Sequence, residues 1–300
     1  VSPGCKFCYA ERITERWGQK FNEIKLPPDR LDQPLKWKKP RRIFVCSMSD
    51  LFNEEIPDDF IGRCFVAIAQ AQQHTYQVLT KRPERMSRYL SDDPLVLVKR
   101  WALAGDRSIT MDNPDELFSE SVESYCSNRW SCAGVGLGTR KAWGYPLNVF
   151  PLPNVWLGAS CENQPTLDAR LPSLRSAPAA VRFLSLEPLL GPIHLPDTNG
   201  DIDLVIVGGE SGPGARPCWL DSIRTIVASC AATRTSVFVK QLGARPYQIG
   251  ESPEPECNCR EFDCEHRSQI PPVKWLKLKS RKGSDPAEWP ADLRIQEMPK

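Results

Sequence analysis

Six short, almost unbroken apolar runs recur along the chain, and each gives way to polar residues. Ile43–Cys46 runs into Ser47-Met48-Ser49-Asp50, and Tyr76–Leu79 into Thr80-Lys81-Arg82. Val155–Gly158 runs towards Ser160-Cys161-Glu162-Asn163, and Val181–Leu184 into Ser185-Leu186-Glu187. Leu204–Val207 runs into Gly208-Gly209-Glu210, and Val237–Val239 into Lys240-Gln241. Runs of this length without polar alternation fit strands buried on both faces, as in a parallel sheet. Helical spacings lie between them. Behind Pro57, Asp58–Gln72 carries Phe60, Ile61, Phe65, Ile68 and Ala69 on one face. Pro83–Tyr89 and Pro165–Leu174 are shorter candidates, and Trp219–Ala231 carries Leu220, Ile223, Ile226 and Val227 on one face. Strands alternating with helices predict βα units. The expected fold class is α/β, a full or partial (β/α) barrel, with an open doubly wound sheet as the alternative.

The polar residues sharpen that expectation. Asp50, Lys81, Glu162, Glu187, Glu210 and Lys240 all follow strand C-terminal ends, where barrels carry their active sites. A single such residue says little, because strands commonly end in polar loops. The repeating pattern covers residues 1–90 and 154–245, read as one barrel domain. Residues 91–153 are polar and weakly periodic apart from Leu95–Leu103, and read as an insertion that could cap the barrel mouth. Residues 246–272, rich in Pro, Glu and Cys, read as a second insertion, and 273–300 as a C-terminal tail.

Composition excludes several classes. At 300 residues with 41% hydrophobic and 25% charged residues, the chain has the makeup of a globular domain with a sizeable core. Its apolar runs are too short to span a bilayer, and its first residues show no signal-peptide pattern, so a soluble cytoplasmic protein is expected. It begins with Val1 rather than Met, and the expectation is a piece of a longer protein. A net charge of +2 makes no global case for nucleic-acid binding. No P-loop, Ser/His/Asp set or dinucleotide fingerprint is present. With 3 histidines, of which His74 and His194 stand isolated, there is no general-base motif.

The 12 cysteines are informative where they cluster. Cys46, Cys64 and Cys230 sit in apolar segments and read as small hydrophobes. Cys5-Lys6-Phe7-Cys8 is a C-x-x-C pair just before a helical stretch, Tyr9–Trp17. Such a pair can ligate a cluster or a metal ion, or act as a redox dithiol. Cys257-Asn258-Cys259 with Cys264-Glu265-His266 gathers four soft ligands within ten residues, a zinc-like set with tighter spacing than usual; a second cluster or unliganded loop thiols are the alternatives. Cys126 and Cys132 have no sequence neighbours of that kind. Two basic runs carry interleaved tryptophan, residues 36–42 around Trp37 and residues 274–282 around Trp275. They could track a nucleic-acid backbone while an aromatic stacks on a base, or be solvated faces with the Trp packed inward.

Cys5-Lys6-Phe7-Cys8-Tyr9 resembles the end of the radical-SAM motif, in which three cysteines hold a four-iron four-sulfur cluster whose open iron chelates S-adenosylmethionine. The longer run Ser2–Glu11 resembles a phage and bacterial family of unknown function, named for phage gene products thirty-seven and sixty-eight. Other blocks resemble it too: Pro40–Val45 with Ser47–Phe52, Leu79–Pro83, Asn154–Gly158, Ser185–Leu189, Ile206–Gly212, Phe238–Gly243 and Asp285–Pro290. The resemblance covers nearly the whole chain outside the two insertions. That family's pattern carries a further cysteine shortly before Ser2, upstream of the point where this chain starts.

The resemblance implies a radical-SAM-like, S-adenosylmethionine-dependent enzyme acting on nucleic acid or another substrate. It makes Cys5 and Cys8 cluster ligands. Gly208-Gly209-Glu210 resembles the Gly-Gly-Glu segment that meets the amino group of S-adenosylmethionine, although here it follows a late strand; a tight turn with a solvated Glu is the competing reading. Ser49 would join it in holding the cofactor, and Asp50, Lys81, Glu187 and Lys240 would line the mouth as candidate catalytic residues. The alternative is a non-catalytic zinc-containing module on a degenerate barrel that binds nucleic acid or a partner protein.

Overall fold

The computed structural model describes residues 2–92, 96–97, 100–101, 104, 150–198, 200–249 and 273–299. Most of the first insertion and residues 250–272 therefore lie outside the described residues. With them fall the expectations on a cap, on Cys126 and Cys132, and on a metal site at Cys257, Cys259, Cys264 and His266.

All six apolar runs are strands: β1 (Arg42–Val45), β2 (Thr75–Thr80), β3 (Val155–Ser160), β4 (Val181–Leu186), β5 (Leu204–Gly208) and β7 (Ser236–Gln241). They form one parallel sheet in the order β1-β2-β3-β4-β5-β7, compatible with a partial (β/α) barrel. Ile43 lies opposite Tyr76 and Tyr76 opposite Val155; on the other side Leu204 lies opposite Ser236. The helical spacings also form helices: α1 (Tyr9–Arg16), α3 (Asp58–Gln70), α4 (Pro83–Leu90), α5 (Gln164–Ser176) and α6 (Leu220–Thr233), with a single turn, α2 (Gln33–Lys36), before β1. No helix among the described residues is long and apolar enough to cross a membrane.

The chain divides into two compact units. One comprises Cys8–Ser160 with Asp168–Leu184, the other Val1–Phe7, Cys161–Leu167 and Ser185–Lys300. In the first, α3 buries Phe60, Ile61, Phe65 and Ile68, the face its spacing predicts. Phe65 stacks on Trp101 with ring centroids 4.9 Å apart, and both side chains are buried. Gly158 is required by close approach: a Cβ there would come within 2.4 Å of the Phe183 ring.

In the second unit, α6 buries Leu220, Ile223, Ile226 and Cys230. Here the structure adds elements absent from the sequence reading. Pro246–Ile249, assigned above to an insertion, is a strand (β8). It pairs in parallel with the two-residue strand β6 (Cys218–Trp219) and antiparallel with β9 (Val273–Trp275). Strands of two to four residues are too short to carry a readable period.

Candidate functional site

In the second unit, three charged side chains converge on the loop that carries Cys5. Residues Pro3–Cys5 form one tight turn. Glu162, fully buried just beyond β3, accepts the Gly4 N–H at 3.2 Å through Oε1. The approach is tight, since a Cβ on Gly4 would lie 3.3 Å from the Glu162 carboxyl carbon. Arg216 donates from Nη1 to the Pro3 carbonyl at 2.9 Å, and its guanidinium lies 5.4 Å from the centre of the Phe7 ring. Glu210, buried beyond β5, holds that guanidinium in a fork: Nη2 to Oε1 at 2.7 Å and Nε to Oε2 at 2.9 Å. The Arg216 N–H adds a third bond to Oε2 at 2.9 Å. Hydrogen bonding to Glu210 is the main cause that raises the Arg216 pKa; burial opposes it, and the charges of Glu210 and Glu162 add to it.

Local sequence explains how Arg216 reaches back to Glu210 six residues earlier. Gly212 and Gly214 adopt left-handed φ of +98° and +77°, which L side chains rarely adopt, and so turn the chain on itself. Gly208 and Gly209 also have packing reasons. A Cβ on Gly209 would lie 2.4 Å from the Leu242 carbonyl oxygen, and one on Gly208 would lie 2.9 Å from Oε1 of Glu187. The Gly-Gly-Glu segment is thus a close backbone crossing, and both oxygens of its carboxylate are engaged by Arg216. Beside it, Lys240 sits in the last residues of β7 and pairs with Glu187 at 3.1 Å, with Ser185 Oγ donating to the same oxygen at 3.3 Å. The Glu187 side chain is largely covered, whereas Lys240 is more than half exposed.

In the first unit, Asp50 is enclosed by its neighbours. Oδ1 accepts from Thr80 Oγ1 at 2.7 Å and from the Phe52 N–H at 3.0 Å. Oδ2 accepts from the Lys81 N–H at 2.9 Å and from Arg82 Nη1 at 3.2 Å. Asp50 therefore ties the loop after β1 to the end of β2. Ser49 sits in the same turn, with its N–H on the Cys46 carbonyl at 3.0 Å. Cys46 leaves β1 in the left-handed region, at φ +56°. Tyr9 donates its hydroxyl to the Ser47 carbonyl, fastening α1 to this loop.

Cys5 and Cys8 are both half-buried; the Cys5 sulfur lies 3.7 Å from Ser2 Oγ, and Cys8 occupies the N-cap position of α1. Other thiols differ from them. Cys64 and Cys230, expected to act as hydrophobes, are buried, as is Cys218, and burial is the main cause pushing each of the three up to about 12. Cys46 is only half-buried, but burial raises its thiol as well. Among the described residues no three His, Cys, Asp or Glu side chains gather as a metal site. The described residues thus offer two thiols in one motif where a three-cysteine cluster requires three.

The first basic run has its tryptophan engaged. Trp37 lies against His74, with centroids 5.9 Å apart, and under Arg41 at 4.6 Å. His74 is itself locked, accepting the Arg41 N–H at Nδ1 (3.1 Å) and bonded from Nε2 to the Pro34 carbonyl at 2.9 Å. Glu162 and Arg216 are the residues the site assignment left out. Glu162 follows its strand by two residues, as Glu210 does, a signal that could have promoted it. Arg216 sits in no motif.

A family model described as a protein of unknown function (DUF5131) matches residues 1–271. No curated protein and no solved structure matches the chain.

Proposed function

Since the chain belongs to this DUF5131 family of unknown function, its chemistry has to be argued from its own residues, and we propose that it is a radical-SAM-like iron–sulfur enzyme. The observation that carries the reading is the investment made in the Cys5 loop. A buried carboxylate, Glu162, and an arginine fixed by a second carboxylate hold two consecutive backbone groups, Gly4 N–H and Pro3 C=O. Fixing a short cysteine turn in this way suits a ligand loop, because a cluster requires its thiolates at set positions.

Cys5 and Cys8 would supply two thiolates, and a third ligand is required for an open iron. A cluster so held would supply the electron that cleaves S-adenosylmethionine. The chain's own residues orient and exclude water. Glu162 and Arg216 set the loop, Glu210 acts through Arg216, and Phe7 packs beneath the guanidinium. Within its unit, the exposed Lys240 beside Glu187 would meet a substrate; in the other unit Asp50, with Ser49 and Lys81, holds the loops after β1 and β2. Gly208 and Gly209 let the backbone cross closely enough for this arrangement.

The test is anaerobic reconstitution of the natural full-length protein with iron and sulfide. The expected result is a brown protein with visible iron–sulfur absorbance that is lost in Cys5→Ala and Cys8→Ala. Formation of 5′-deoxyadenosine under reduction would establish the reaction type. Zinc without iron at Cys5 and Cys8 would overturn the enzyme reading in favour of a binding module.

A further inference from the structure

The small sheet β6-β8-β9 presents an aromatic row. Trp219 of β6 is in register with Tyr247 of β8, and Tyr247 with Trp275 of β9. Register partners in a sheet share a face, so the three rings lie side by side across the strands. Tyr247 and Trp275 touch, with centroids 5.2 Å apart. Ile249 and Val273, the next register pair two residues on, extend the same face. Trp275, Ile249 and Val273 are each about half exposed, at 48%, 49% and 49%. The opposite face is covered differently: Gln248 accepts a hydrogen bond from Arg224 of α6 at 3.1 Å. Among the described residues this exposed aromatic and aliphatic row packs into no core.

Cations border the row. Arg245 lies over Trp275, 5.2 Å from the ring centre. Beyond Trp275 the chain stays beside residues 242–246, with the Leu276 N–H on Pro246 O at 3.0 Å and the Leu242 N–H on Gly283 O at 2.8 Å. That segment exposes Lys277, Lys279, Arg281 and Lys282 and contains no acidic residue. Among the described residues none of these cations makes an ion pair. Two carboxylates beside this face are already engaged: Asp221 by Arg224 at 2.8 Å and the Trp219 indole N–H at 2.8 Å, and Glu288 by the backbone N–H groups of Lys279 and Ser280 at 2.7 and 3.2 Å.

We propose that this face binds single-stranded nucleic acid, with bases stacked on Trp275 and Tyr247 and phosphates met by Arg245, Lys277, Lys279, Arg281 and Lys282. Every unpaired base offers a π-face to stack, and a strand running along the segment meets the cations with its backbone. An acidic peptide offers the charge without the rings. The basic run at 36–42 is the weaker candidate, because Trp37 is half-buried against His74 and Arg41, whereas Trp275 is 48% exposed. The proposal does not rest on the cluster reading, since this face is built without Cys5 or Cys8.

The experiment is fluorescence anisotropy of the purified chain with labelled homopolymeric DNA and RNA strands of about twenty nucleotides, across a salt series. Trp275→Ala should weaken binding roughly 5- to 150-fold, the loss of one stacked base. Lys277→Ala with Lys279→Ala should lower the slope of log affinity against log salt by about 1.4, or about 0.7 per cation. Lys36→Ala, Lys38→Ala and Lys39→Ala combined should leave both unchanged. Circular dichroism confirms folding of each variant, and the double lysine variant, fully at the surface, keeps the test valid if Trp275→Ala unfolds. No binding up to about 100 µM at low salt overturns the proposal. So does binding to anionic lipid vesicles or polyglutamate in place of nucleic acid, or equal loss in the 36–39 variant. Iron content, measured on the same samples, reads the cluster hypothesis separately.

Discussion

Asp50 and Glu210 begin as the same kind of residue, a carboxylate a few positions after a buried strand, and the structure uses them differently. Asp50 takes its bonds from Phe52, Thr80, Lys81 and Arg82, all in its own loop or at the end of the adjacent strand. Its charge is consumed in joining two neighbouring βα turns. Both Glu210 oxygens accept from Arg216, and that guanidinium has one nitrogen left to hold the Pro3 carbonyl, 213 residues away in sequence. One carboxylate closes a local bracket; the other works through an arginine on the cysteine loop. A charged residue at a strand end is therefore no guide to a reactive group until its partners are known.

Breaking the second arrangement should have the largest effect. Arg216→Ala removes the fork that holds the buried Glu210 carboxylate and releases Pro3. It should cost roughly 3 kcal/mol in chemical denaturation, the scale of a broken buried ion pair. It should also reduce the iron retained after reconstitution, whereas Arg216→Lys, which keeps charge but not the fork, should restore stability only in part. Normal iron retention in a folded Arg216→Ala protein would remove the link between Glu210 and the loop.

Asp50→Ala sharpens the contrast. Four hydrogen bonds are lost and the Thr80 hydroxyl and Lys81 N–H lose their acceptor, so stability should fall by about 2 kcal/mol. Iron retention should stay at the level of the parent protein. Equal losses of iron in the two variants would mean that the two carboxylates do not differ in the way their partners indicate.

The smallest expected effect is at Gly4. A Cβ there meets Glu162 at 3.3 Å, a contact that a shift of a few tenths of an ångström relieves. Gly4→Ala should cost about 1 kcal/mol or less in thermal or denaturant unfolding, while Glu162→Gln, which keeps the oxygen acceptor but removes the charge near Arg216, should cost more. A larger loss at Gly4 than at Glu162 would show that the turn's backbone, not its carboxylate partner, sets the loop.

The six strands and the helices between them were legible because their signals are local, although burial on both faces holds only for β3, β4 and β5: β1 has no buried residue, and β2 and β7 alternate. Continuous apolar runs such as Leu204–Val207 and the spacing of Phe60, Ile61, Phe65 and Ile68 follow from burying two faces of a strand or one face of a helix. The C-x-x-C motif and the polar residues beyond each strand were equally visible. What those residues engage was not, because partnership is set by distance in space. Arg216 carries no motif, yet left-handed turns at Gly212 and Gly214 bring it onto Glu210, and only folding brings Pro3 within 2.9 Å of it. The aromatic row needed the same step. Trp219, Tyr247 and Trp275 are scattered over more than fifty residues, and strands too short to show a period align them on one face. Sequence determined the elements through local periodicity; hydrogen-bond geometry between distant segments decided which of their side chains meet.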